Sequence, residues 1–174
     1  MADLIRALKT FIKDPSPTGR FEEVSAGLHV LDGIVKVDEP LRSPVRGQNC
    51  VAYFYSAILF VKSARSPQPS MSKLRESQVY TAFTLVMDKG SVAIVPTRPG
   101  SFSREDHQRL AADYGTSFQA MEDVILPGAR VRVWGKVRAA EGGPVMRMTK
   151  IQVLDKQAVA AGVVGDRKTR RKKR

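Results

Sequence analysis

Cysteine occurs once in the 174 residues, at Cys50, and histidine twice, at His29 and His107. A single thiol excludes an intramolecular disulfide, and three scattered ligands do not make a zinc site, so no metal or other cofactor is expected. Long hydrophobic runs are also missing. The longest apolar segment, Cys50 to Val61, is shorter than the roughly 18 residues a membrane-spanning helix needs. The first residues interleave their apolar side chains with charges and have no apolar h-region, so no secretory leader is expected and the cytoplasm is the default location. No Gly-x-Ser-x-Gly and no phosphate-cradling glycine loop occurs, and the two histidines stand far apart in the chain. These absences leave no catalytic constellation, and the chain does not read as an enzyme. Glu105 and Asp106 are read as first-turn charges that favour a helix dipole rather than as an acid/base pair.

What is present describes a soluble globular protein: 43% hydrophobic and 26% charged residues, in a length that closes one core. The formal net charge of +12 is unevenly placed. Seven of the last eight residues, Arg167, Lys168, Arg170, Arg171, Lys172, Lys173 and Arg174, are basic, so removing them lowers the charge from +12 to +5. The strong positive signal belongs to a tail, not to the fold. Three regions follow: an amphipathic helix and linker over 1–20, a β-rich domain over 21–160, and a disordered basic tail over 161–174.

In the first region Leu4, Ile5, Leu8, Phe11 and Ile12 form one apolar stripe over residues 3–13, suited to docking on the domain, to self-association or to lying on a membrane surface. The first strand is expected at Leu28–Val37, with Gly33 at its middle marking a bulge or bend. The apolar run from Cys50 is expected to be the central hairpin strand of a small barrel. Both of its alternating residue sets are apolar, as in a strand covered on both faces or in one with an exposed aromatic face. The polar, Pro- and Ser-rich stretch Ser63–Ser77 reads as a long mobile loop. Strands are expected at Val79–Met87 and Ser91–Pro96. A capping box, Ser103 with Asp106, opens a helix to about Tyr114, with His107, Leu110, Ala111 and Tyr114 on its inward stripe. Asp123–Leu126 leads to a strand at Ala129–Arg138, where Val131, Val133 and Val137 alternate with Arg130, Arg132, Lys136 and Arg138 about a central Gly135. A last strand, Val145–Leu154, precedes a short helix at Lys156–Ala161. This order of elements predicts a mainly β fold, an OB-like small β-barrel with an amphipathic N-terminal helix and one helix inserted between strands.

Gly33, Pro40, Leu41, Ser43, Pro44, Gly47 and Cys50, with Asp32, Val51 and Tyr53 beside them, resemble the GIDE domain family. That family occurs beside RING domains in mitochondrial membrane ubiquitin ligases and also in bacterial and archaeal proteins. The resemblance spans roughly residues 28–155 and is specific over 32–55. It implies a β-rich binding or accessory domain in a soluble version without RING or transmembrane helices. It carries no ligase activity, because the Cys-rich RING is absent, and no catalytic residues.

The function expected is therefore a non-enzymatic binding or scaffold module whose tail contacts an anionic partner: nucleic acid, an anionic membrane surface or an acidic protein. Two alternatives stand beside it. In an OB-type single-strand nucleic-acid binder, Tyr53, Tyr55 or Trp134 would stack bases. In a peripheral membrane accessory protein, tail and helix would both meet lipid. Arg130, Arg132, Lys136 and Arg138, continued by Arg147 and Lys150, form a secondary basic face.

Overall fold

Clean alternation at 130–138 builds the strand around which the barrel closes. The computed structural model of the chain describes residues 15–61, 70–155 and, as backbone, 159–164. The strands are β1 (Pro17–Thr18), β2 (Gly27–Lys36), β3 (Leu41–Arg42), β4 (Asn49–Cys50), β5 (Ala52–Val61), β6 (Ser70–Tyr80), β7 (Phe83–Met87), β8 (Gly90–Pro96), β9 (Phe118–Ile125), β10 (Arg130–Arg138), β11 (Val145–Val153) and β12 (Val159–Val164). Among the described residues the one α-helix is α1, Arg104–Tyr114.

Five strands close a barrel in the order β2–β7–β8–β11–β10 and back to β2. All neighbours are antiparallel except β8 and β11, which run parallel. This is an OB-like barrel, as the element order predicts. Its interior is apolar: Leu31, Leu85, Val92, Ile94, Val131 and Val133 are fully buried. Each such side chain contributes about 1.5–3 kcal/mol relative to an exposed one.

The two central glycines close the barrel by different means. At Gly135 the register with β11 shifts, a bulge, and a Cβ there would lie 2.2 Å from the Arg147 carbonyl oxygen. Gly33 shows neither bulge nor positive φ, contrary to the sequence expectation. Its role is close approach: a Cβ would lie 2.6 Å from the Val86 carbonyl oxygen, where β7 comes up to β2.

The apolar strand β5 is not in the barrel. It lies inside a second sheet, ordered β12–β9–β5–β6. Both of its residue sets are apolar because the strand serves two cores. Ala52, with Val51 just before the strand, joins the barrel core and Phe54 packs against it, while Tyr53, Tyr55 and Ala57 belong to a second core with Cys50, Phe102, Ala120 and Val124.

Residues 70–77, expected in a loop, are strand in β6. As an edge strand β6 is rich in Ser and charge, the composition that keeps edges from pairing with other chains, and that composition imitates a loop. The expected strand Val79–Met87 divides at Thr81 between the two sheets. β9 begins five residues before the expected Asp123. Residues 159–161, expected in a short helix, pair instead with β9, so sheet pairing overrides the helix propensity of the two alanines. β12, Val159–Val164, thereby crosses the boundary between 160 and 161 where the tail was taken to begin. The amphipathic helix at 3–13 and the basic residues 167–174 lie outside the described residues.

Candidate anion-binding face and groove

Residues 41–50 build a closed loop between β3 and β4. Ser43 is fully buried; its amide donates to the Gln48 carbonyl at 3.0 Å, and its Oγ accepts from the Gln48 amide at 3.0 Å. Gly47 turns the chain with φ +68° and donates to the Ser43 carbonyl. Leu41 pairs with Cys50 across β3 and β4. The loop is latched to the second sheet by Glu122, whose Oε2 accepts from the Val45 amide at 2.7 Å. Glu122 is fully buried, and its Oε1 has no hydrogen-bond partner.

Around that carboxylate the expected stacking residues become core. Tyr53 and Tyr55 are 3% and 2% exposed. Tyr53 donates its hydroxyl to the Phe102 carbonyl, and Tyr55 meets His107 Nδ1 at 3.1 Å while stacking on Phe102. Bases cannot reach either ring, so the stacking assignment fails for both. Burial, with Glu122 adding to it, pushes Cys50 up to about 12 and Tyr55 up to about 12. Burial also pushes Tyr53 up to about 12, with the Cys50 and Glu122 charges adding to it. Cys50 is therefore an uncharged packing residue at neutral pH, not a nucleophile. Desolvation lowers His107, against the pull of Glu122, so its ring titrates below the usual histidine range.

Helix α1 begins with the expected reciprocal cap. Ser103 Oγ accepts from the Asp106 amide at 3.2 Å, and the Asp106 carboxylate accepts from the Ser103 amide at 2.7 Å. Asp106 is held below the usual carboxylate range, first by the Ser103 amide and then by its hydroxyl; Glu105 is lowered by its own backbone amide and by Ser103. His107, Leu110 and Ala111 are half-buried as the stripe predicts, but Tyr114 is exposed, because the helix ends there at Gly115.

The residues expected to form a secondary basic face lie on β10 and β11. On the outside of the barrel, β10 and β11 place Lys136 directly opposite Arg147 and Trp134 opposite Lys150. Arg130, Lys136, Arg138, Arg147 and Lys150 are exposed. Among the described residues no carboxylate lies within ion-pair range of Lys136, Arg138 or Arg147. Arg132 is the exception, paired with Asp32 on β2 at 2.7 Å. Trp134 is half-buried on this face with the Lys150 ammonium 4.6 Å from its ring centroid, a cation–π contact.

Beside this face lies a groove of about 510 Å³ that has no counterpart in the sequence reading. Gln78 and Tyr80 from β6, Pro96 at the end of β8, Thr97, Arg98 and Gly100 from the turn after it, and Met148 and Thr149 from β11 line it. The turn is fastened on both sides. Thr97 donates through its amide at 3.1 Å and its hydroxyl at 2.6 Å to the Met148 carbonyl, and the Tyr80 amide donates to the Pro99 carbonyl at 2.8 Å. Gly100, at φ +72°, is indispensable there, since a Cβ would stand 2.0 Å from the Gln78 carbonyl oxygen. Nothing in the sequence marks the groove, because β6 carries loop-like composition and its wall is assembled from three separated segments.

Among the described residues no group of three or more His, Cys, Asp or Glu side chains is placed to hold a metal ion, and no helix is long and apolar enough to cross a membrane. Comparison of the chain with family models, curated proteins and solved structures finds no match.

Proposed function

We propose that this chain is a non-enzymatic binding module that holds an anionic partner on the outer face of β10 and β11, with the basic tail at 167–174 adding affinity. The observation that carries this reading is the unbalanced charge of Lys136, Arg138 and Arg147 on two paired strands, joined by Lys150 over Trp134. Rigid strands hold these cations at fixed spacing, so an anionic polymer meets several at once and displaces its counterions. The tail supplies seven further charges. The GIDE-like character belongs to the same proposal: residues 41–50 fasten the barrel to the second sheet and leave the basic face to the partner. A cytoplasmic location is proposed with it.

The test is a pair of titrations of the full chain, against a fluorescent single-stranded oligonucleotide and against phosphatidylserine vesicles, repeated after deletion of 167–174. The reading expects anion binding that falls with salt, weakens on deletion and survives it measurably. Binding that vanishes with the tail would leave the barrel face without a role. Binding of vesicles alone would move the proposal to a membrane surface, and failure of both ligands would remove it.

A further inference from the structure

We infer that the groove between β6, the 96–100 turn and β11 receives an unpaired base of a single-stranded nucleic acid whose phosphates lie along the β10–β11 face. The inference rests on the anion-binding reading above and deepens it. Four observations converge on it.

The first is size and rigidity. About 510 Å³ is within the range of small-ligand sites, and this one is preformed, because its turn is hydrogen-bonded to strands of both sheets. The second is an aromatic wall. Tyr80 is half-buried and braced by Phe54, with ring centroids 5.9 Å apart and planes at 86°. A braced ring loses little freedom when a base stacks on it. Third comes the polar lining. Gln78 Oε1 accepts from the Tyr80 hydroxyl at 3.2 Å, which leaves the amide N–H groups of an exposed Gln78 to meet a base edge. Thr149, whose hydroxyl donates to the Trp134 carbonyl at 3.2 Å, ties the opposite wall to the basic face.

The fourth observation is charge and continuity. Arg98 stands exposed on the groove rim, a guanidinium suited to a phosphate oxygen. From Thr149 the next residue is Lys150, over the Trp134 ring, and Arg147 lies opposite Lys136 beyond it. A strand seated at Tyr80 thus has cations along its onward path. A lipid headgroup would use the cations and leave the aromatic and amide walls unused. A duplex would keep its bases stacked away from the groove.

The experiment measures the affinity of the full chain for two probes of equal charge: a fluorescent twelve-residue oligothymidylate and the same length of abasic phosphodiester. The inference expects the oligothymidylate to bind about fivefold to a hundredfold more tightly. It also expects Tyr80→Ala to remove that preference while leaving the abasic affinity unchanged, and Tyr80→Phe to retain it. Gln78→Ala, a substitution at an exposed position, is expected to shift the ranking among homopolymers of the four bases without altering the abasic affinity. Equal binding of both probes by the unaltered chain would overturn the groove assignment and leave the anion-binding reading standing. So would a preference untouched by Tyr80→Ala and Gln78→Ala. Binding of neither probe would overturn both.

Discussion

Arg132 and Asp32 face each other in register across β10 and β2, and the guanidinium grips the carboxylate through two bonds, Nε to Oδ1 and Nη2 to Oδ2, each 2.7 Å. The pair withdraws one cation from the basic face. Asp32→Asn should return it. Affinity for a single-stranded oligonucleotide should then rise, and the slope of log K against log salt should steepen by up to about one unit. Isothermal titration across a salt series checks this, and an unchanged slope would place Arg132 outside the binding surface.

Gly135 and Gly33 allow the barrel strands to meet. A Cβ at Gly135 would strike the Arg147 carbonyl oxygen at 2.2 Å and Met146 Cγ at 2.8 Å; one at Gly33 would strike Val86 and Leu85. Valine at either position should lower stability by roughly 1–3 kcal/mol or more, read as a drop in the urea midpoint. Gly142→Val, where a Cβ meets nothing within 4 Å, is the control expected to stay near the parent.

The second core predicts sensitivity to alkali. Burial raises Cys50 from 9.0 to about 12, and Tyr53 and Tyr55 from 10.0 to about 12. These groups stay protonated in the fold while the unfolded chain gives up its protons first. Their stabilising effect is complete below pH 9, and it is lost as pH rises from 9 toward 12. Melting temperature should therefore decline from about pH 9 upward, and Cys50→Ala should delay the onset toward the tyrosine range. A flat profile to pH 11 would contradict the burial of these groups. His107, lowered by desolvation, acts with the opposite sign and should reduce stability as pH falls through the histidine range.

Glu122 latches residues 41–50 through the Val45 amide. Glu122→Ala leaves that amide without its acceptor and should cost about 1–3 kcal/mol. Hydrogen exchange at Val45 should accelerate, and Cys50 should become accessible to thiol reagents in the folded protein. Glu122→Gln, which keeps an acceptor oxygen, should be milder on both readouts.

The barrel was legible because β10 has one buried and one solvated face, so Val131, Val133 and Val137 announce it, and because Ser103 and Asp106 announce the start of α1. The second sheet was not legible. β5 contributes to two cores and so shows no alternation, while β6 hides a strand under the Ser, Lys and Arg of an exposed edge. For the same reason the basic face was visible in the sequence, as charges at alternate positions of one strand, whereas the groove was not. Tyr80, Arg98 and Thr149 meet only through tertiary pairing, and no spacing brings them together. Composition alone also could not separate Tyr53 and Tyr55, which are core, from Trp134, which shares a surface with Lys150.

The most direct test of the central claim is the salt dependence of oligonucleotide affinity in the full chain carrying Lys136→Glu, Arg138→Glu and Arg147→Glu together. All three side chains are exposed, so the fold should survive, as circular dichroism and the urea midpoint would verify. If the β10–β11 face holds the partner, affinity should fall at least about tenfold, and the salt slope should flatten by about two units. Unaltered affinity and slope in a folded triple variant would contradict the account, leaving the tail as the whole of the anion-binding surface.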